Sequence, residues 1–125
     1  MESKPLFTYH VVTHYIEDQS QPDQDRYAFS YTITIRNVGT VAATLQSRRW
    51  LITDANGKQS EVEGPGVVGK HPHILPNDTF TYTSGAVIET EVGVMQGFYL
   101  FEDNAGQQHQ SDIPPFRLAI PNILH

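Results

Sequence analysis

"RYAFSYTITIR" (residues 26–36) sets Tyr27, Phe29, Tyr31, Ile33 and Ile35 at every second position, with Ala28, Ser30, Thr32, Thr34 and Arg36 between them. A period of two, built from aromatic and β-branched side chains, describes a strand with one face in a core and the other in water. A helix would need apolar residues three and four apart, and no window of eleven or more residues in the chain has that spacing. "NVGT" (37–40) closes the strand with a turn signal. "AATLQSRRWLIT" (42–53) then runs into "DANG" (54–57), where Asn56-Gly57 marks a hairpin and "KQSEVEG" (58–64) its return.

The same vocabulary fills the rest of the chain. "LFTYHVVTHYIE" (6–17) reads as a strand followed by the polar loop "DQSQPDQD" (18–25). "TFTYTSG" (79–85), "MQGFYLFED" (95–103) and "QHQSDIPPFRLAI" (108–120) are further strands, with "NAG" (104–106) as a turn. Pro114-Pro115 suits an edge or a bend better than a central position. Seven to eight short antiparallel strands with turns about every ten residues predict an all-β sandwich of immunoglobulin/fibronectin-III type. Trp50 stands where such sandwiches place a core aromatic, and the absence of cysteine favours the fibronectin-III variant.

The 125 residues suffice for one domain, 1–125. Without cysteine there is no disulfide framework, thiolate zinc site or cysteine nucleophile. The N-terminus lacks the basic start and apolar run of a signal peptide, and no stretch approaches the roughly 18 apolar residues of a membrane helix. A cytoplasmic protein with no membrane span is the expectation. A formal net charge of −6 argues against a nucleic-acid partner, which would demand an excess of Lys and Arg.

"GPGVVGK" (64–70) spells G-x-G-x-x-G at Gly64, Gly66 and Gly69, followed by Lys70. In a dinucleotide-binding fold that spelling joins a strand to a helix. Here Pro72 and Pro76 would fall in the first turns of such a helix, at about 3 kcal/mol each, and no βαβ unit surrounds it. A P-loop is excluded as well, because His71 replaces the Ser or Thr required after the lysine. Two readings stay open: a tight loop that lets strands pack closely, or a backbone anion nest reinforced by Lys70, Arg48 and Arg49 for pyrophosphate or a nucleotide.

Arg48 and Arg49 are strand neighbours and leave by opposite faces. One is expected in solvent. The other is expected with its stem along the core beside Trp50 and its head on a carboxylate. His71 and His73, two apart in an extended segment, face one way; with Glu61 or Glu63 they make a weak two-histidine, one-carboxylate metal candidate, and otherwise they are surface histidines. His10 and His14 share a face with Val12 between them, which reads as a half-buried wall. No G-x-S-x-G or H-E-x-x-H is present, and Ser84, at the end of "YTSG" before Gly85, has no evident base. No catalytic residue and no cofactor are assigned.

"YAFSYTITIRNVG", "LQSRRWLITDANGK", "EVEGPGVVGKHPHILP", "FTYTSG", "MQGFYLF" and "IPPFRLAIP", in this order and spacing, resemble the ApaG family from about Tyr9 to the C-terminus. The resemblance implies a bacterial cytoplasmic domain with a fibronectin-III-like sandwich. It also implies a link to cobalt and magnesium efflux, which a chain without a membrane span would serve only indirectly, and an association with diadenosine-tetraphosphate metabolism. Related domains are appended to eukaryotic F-box proteins, so a non-enzymatic module that binds another protein is the leading expectation.

Overall fold

A computed structural model describes residues 4–122. Eight strands run antiparallel: β1 (Phe7–Tyr15), β2 (Tyr27–Asn37), β3 (Ala43–Asp54), β4 (Gln59–Pro65), β5 (His73–Ile74), β6 (Thr79–Ile88), β7 (Val92–Asp103) and β8 (Gln108–Ala119). Two three-residue 3-10 turns, Glu17–Gln19 and Pro22–Gln24, fold the polar loop after β1. The first sheet has the order β1-β2-β6 and the second β4-β3-β7-β8, with β5 added beside β3. Because β4 pairs with β3 and not with the first sheet, the order is that of fibronectin type III, not of an immunoglobulin constant domain.

The alternation in β2 is realised from Phe29 onward, whereas Ala28, expected on the solvent side, is buried where the loop after β1 bonds back to it through Ser20. Phe29, Tyr31, Ile33 and Ile35 are buried and pack between the sheets with Trp50, Tyr99, Phe101, Met95 and Leu118. Trp50 stands edge-on to Tyr31, Tyr99 and Phe116, with ring centroids 5.7, 6.1 and 5.6 Å away, an arrangement that ring quadrupoles favour. Asn37, read above only as a turn residue, is fully buried. Its amide donates to the carbonyls of Val41 (2.8 Å) and Ile74 (3.0 Å) and accepts from the Gly39 N–H (2.9 Å). A buried side chain so fully paired ties the turn after β2 to the segment at β5.

β6 runs on past "YTSG" to Ile88, so Ser84 lies within a strand and opposite Tyr31. The reason is local: Ala86, Val87 and Ile88 continue the alternation, and Gly85 is accommodated opposite Ser30. On the outer face of the first sheet, cross-strand hydroxyls pair Thr32 with Thr83 (2.7 Å) and Thr34 with Thr81 (3.0 Å). His10, Val12 and His14 lie on that same face. It is open to solvent and not the half-buried wall expected, with Val12 40% exposed, because no further layer covers this sheet.

Bulges interrupt two strands of the larger sheet. In β3 the register against β7 shifts between Leu45 and Ser47, leaving an extra residue at Gln46. In β8 the shift falls opposite Met95 and Gly97, and the extra residue is accommodated at Pro114-Pro115. β8 is an edge strand, so both expectations for the double proline hold.

Candidate functional site

The glycine-rich stretch forms a hairpin turn. Val67 donates to the Lys70 carbonyl (2.9 Å) and Lys70 donates to the Val67 carbonyl (2.8 Å), leaving Val68 and Gly69 as the two central residues. Their φ values of 44° and 77° are both positive, as a type I′ turn requires. Val67 is fully buried and anchors the turn to the core, whereas Val68 is 49% exposed. Gly66, at φ 59°, donates to the Gln46 carbonyl (2.8 Å); a Cβ there would stand 2.3 Å from the Lys70 carbonyl oxygen. The amides of Gly66, Val67 and Lys70 are therefore spent on the chain itself. Among the described residues, those of Val68 and Gly69 donate to no backbone carbonyl.

Arg48 and Arg49 do leave by opposite faces, but their partners are the reverse of the expectation. Arg48 shares the inward parity of Trp50. Its Nη1 donates to the carbonyls of Pro65 (3.1 Å) and Gly66 (2.9 Å), strapping the hairpin to β3. The guanidinium lies against Gly64, where a Cβ would meet Nη1 at 3.1 Å. Among the described residues no carboxylate reaches it within 4.0 Å. The outward Arg49 is the paired one, to Glu61 at 3.0 Å and Glu63 at 3.7 Å, because all three project from the outer face of neighbouring strands. Of the six candidates, Arg48, Gly64 and Gly66 come together. Gly69 and Lys70 lie at and beside the hairpin tip, and Arg49 belongs to the other face.

Behind Arg48, the facing tyrosines of the two sheets form a polar seam. The Tyr82 and Tyr99 hydroxyls bond to each other across the interior, and Tyr9 bonds to Ser111 at 2.6 Å. Burial pushes the Tyr9, Tyr82 and Tyr99 hydroxyls far above the ordinary phenol range. Tyr31 is also raised by burial, with the nearby Arg48 charge acting in the opposite sense.

His71 and His73 are each engaged by β3. His71 Nδ1 donates to the Leu45 carbonyl (3.1 Å), and His73 Nδ1 is bonded to the Thr44 hydroxyl (2.7 Å). Glu61 and Glu63 serve Arg49 instead of the histidines. Among the described residues, no three His, Asp or Glu side chains gather to hold a metal ion.

One concavity was not suggested by the sequence. It is a groove of about 500 Å³ on the outer face of the larger sheet, bounded by Arg49, Leu51, Gln96, Phe98, Asp112 and the Pro114-Pro115 bulge. Leu51 and Phe98 are half-buried while facing outward, and both prolines are exposed. At its floor Gly97 brings β7 hard against β3, since a Cβ there would stand 1.9 Å from the Arg49 carbonyl oxygen. The missed signal is the unbroken apolar run "GFYLF" (97–101): a strand with one wet face has no such run, so two of these residues had to face outward. No helix among the described residues is long and apolar enough to cross a membrane.

Known proteins share both sequence and fold. The ApaG domain model matches residues 17–103. Protein ApaG of Photobacterium profundum is 58% identical over 98% of this chain and 97% of its own length. Protein ApaG of Vibrio atlanticus is 54% identical over 98% of each. The crystal structure of an ApaA protein from Bordetella pertussis superposes with a TM-score of 0.91 at 39% identity, covering 97% of this chain and 98% of that one. With the domain model matching residues 17–103 and relatives more than half identical over nearly the whole length, the chain belongs to the ApaG family.

Proposed function

We propose that the protein is a cytoplasmic recognition module that binds another protein through the outer face of its larger sheet and does not turn over a substrate. The observation that carries this is the groove, where Leu51, Phe98 and the double proline turn apolar surface outward beside charged rims. Concave, partly apolar sites with a few polar groups are where proteins hold their ligands. The tyrosine hydroxyls gathered between the sheets are held far from the range of general acid–base catalysis near neutrality, and the His109–Asp103 pair lies on the inward side of the sheet, away from the groove.

The test is a photo-crosslinking residue at Gln96, in the groove, and in parallel at Thr81, on the opposite sheet, with the variant replacing the native protein in its cells. A discrete adduct at Gln96, missing at Thr81 and lost on Phe98→Asp with an unchanged circular dichroism spectrum, is the expected result. Equal labelling at both positions, or none at Gln96, refutes it.

One observation favours a second reading, small-anion binding: the half-buried Arg48 has no carboxylate partner among the described residues and lies against Gly64. A pyrophosphate or nucleotide would meet that charge, with the Val68 and Gly69 amides at the hairpin tip as a separate set of donors. Titration of pyrophosphate, ATP and diadenosine tetraphosphate, followed at the amides of Gly64, Gly66 and Gly69, decides it. Saturable shifts that weaken on Arg48→Gln support binding, and their absence up to millimolar ligand removes it.

A further inference from the structure

We propose that the groove receives a basic segment of another protein, in which an Arg or Lys side chain stands beside an apolar residue; this rests on the recognition reading above. One cross-strand row decides the chemistry. Glu63, Arg49, Phe98 and Asp112 are consecutive register partners across β4, β3, β7 and β8. The row thus offers acid, base, aromatic ring and acid at the spacing of adjacent strands, about 4.8 Å apart.

Its charges do not balance. Glu61 and Glu63 both serve the single guanidinium of Arg49, at 3.0 and 3.7 Å. Asp112, on the far side of Phe98, accepts the Gln110 amide at 2.9 Å, and no cation pairs with it among the described residues. Of the two charged groups that line the groove, Arg49 is taken up by Glu61 and Glu63, which leaves the Asp112 carboxylate without an opposite charge among the described residues. Arg117 stands beyond the double proline, opposite Val94, and does not line the groove.

A guanidinium or ammonium laid over the Phe98 ring gains a cation–π contact. From there it reaches Asp112, which an arginine engages with two parallel hydrogen bonds. The neighbouring apolar side chain of the same segment then rests on Leu51 and the Pro114-Pro115 wall. An acidic segment would set a carboxylate against Asp112, and like-charge apposition of that kind excludes partners.

The probe is the tetrapeptide acetyl-Leu-Arg-Leu-Arg-amide, titrated into labelled full-length protein at low salt, with acetyl-Leu-Glu-Leu-Glu-amide as its counterpart. Saturable shifts centred on the amides of Gly97, Phe98 and Asp112 are expected for the basic peptide alone. Asp112→Asn, an exposed change on an edge strand, weakens that binding about fivefold or more, and so does 0.5 M salt, as expected for a partly exposed charge contact. Equal binding of the acidic peptide, shifts on another face, or an unchanged affinity in Asp112→Asn overturns the proposal. Asp112→Asn introduced beside the Gln96 crosslinker separates the two levels. Loss of the adduct supports the basic partner; an unchanged adduct overturns it and leaves the recognition surface standing. No adduct at Gln96 even with Asp112 intact removes both.

Discussion

Val68 occupies a backbone conformation that its side chain resists, and Val68→Asn is expected to stabilise the protein. A β-branched residue in the left-handed region costs about 1–2 kcal/mol. Its φ of 44° is imposed by the two-residue turn that the Val67–Lys70 bonds close. Asparagine tolerates that region and would create Asn-Gly, the preferred pair for a type I′ turn. Against this stands the loss of a valine that is 49% exposed, and half the burial of such a side chain amounts to about 1 kcal/mol. The difference is about 0–1 kcal/mol, centred on a gain of about 0.5 kcal/mol. An unfolding entropy of about 2.1 cal/mol/K per residue gives roughly 0.26 kcal/mol/K for this chain, so Tm should rise by about 2 °C, with about 4 °C as the ceiling. Scanning calorimetry of the wild type, Val68→Asn and Val68→Ile provides the comparison, with isoleucine retaining the strain and staying near the wild type. A Tm for Val68→Asn at or below the wild type would refute the reasoning: Val68 would then hold a contact worth more than its strain.

Gly97→Ala should be among the most damaging small changes, because the added Cβ would meet the Arg49 carbonyl oxygen at 1.9 Å and only parting of β3 and β7 relieves it. A loss of about 3–5 kcal/mol follows, seen as a fall in Tm of more than about 10 °C; a Tm within a few degrees of the wild type contradicts it. The Asp103 carboxyl is held below its ordinary value, first by its bond to His109 at 2.8 Å and then by the Gln107 amide. Its contribution is present above the unfolded carboxyl pKa and lost as pH falls through the lower folded one. The Tm deficit of Asp103→Asn should accordingly be full at neutral pH and shrink below about pH 4. The raised tyrosines work at the other end. Stability should decline as pH climbs past about 10, where unfolded phenols ionise and the buried ones do not, and phenolate absorbance should then rise together with the loss of circular dichroism.

The strands were legible because period two is a one-dimensional signal, and β2 carries it without interruption from Tyr27 to Ile35. The destination of the two arginines was not, and the reason is a single residue. Counting inward positions forward from Ala43 and Leu45 sends Arg49 into the core; counting back from Trp50 sends Arg48 there. The extra residue at Gln46 decides for Trp50, and nothing in "LQSRRW" spells a bulge. The hairpin tip was obscured in a different way. A valine at positive φ contradicts its own preference, so only its neighbour Gly69 hinted at the turn. The groove draws its walls from β3, β7 and β8, and adjacency of that kind becomes visible only once the strands are paired.

Pro114 and Pro115 also act as a safeguard against self-association. An uncovered strand invites any extended chain to zip onto it, and in a cell the commonest such chain is another copy, half-made or half-unfolded. Two successive residues without N–H groups in mid-strand break the zip into short lengths, too brief to nucleate a fibre. At this flank strand addition is blocked while the front of the sheet beside it stays open, so recognition on this side of the molecule rests on side chains and not on backbone pairing.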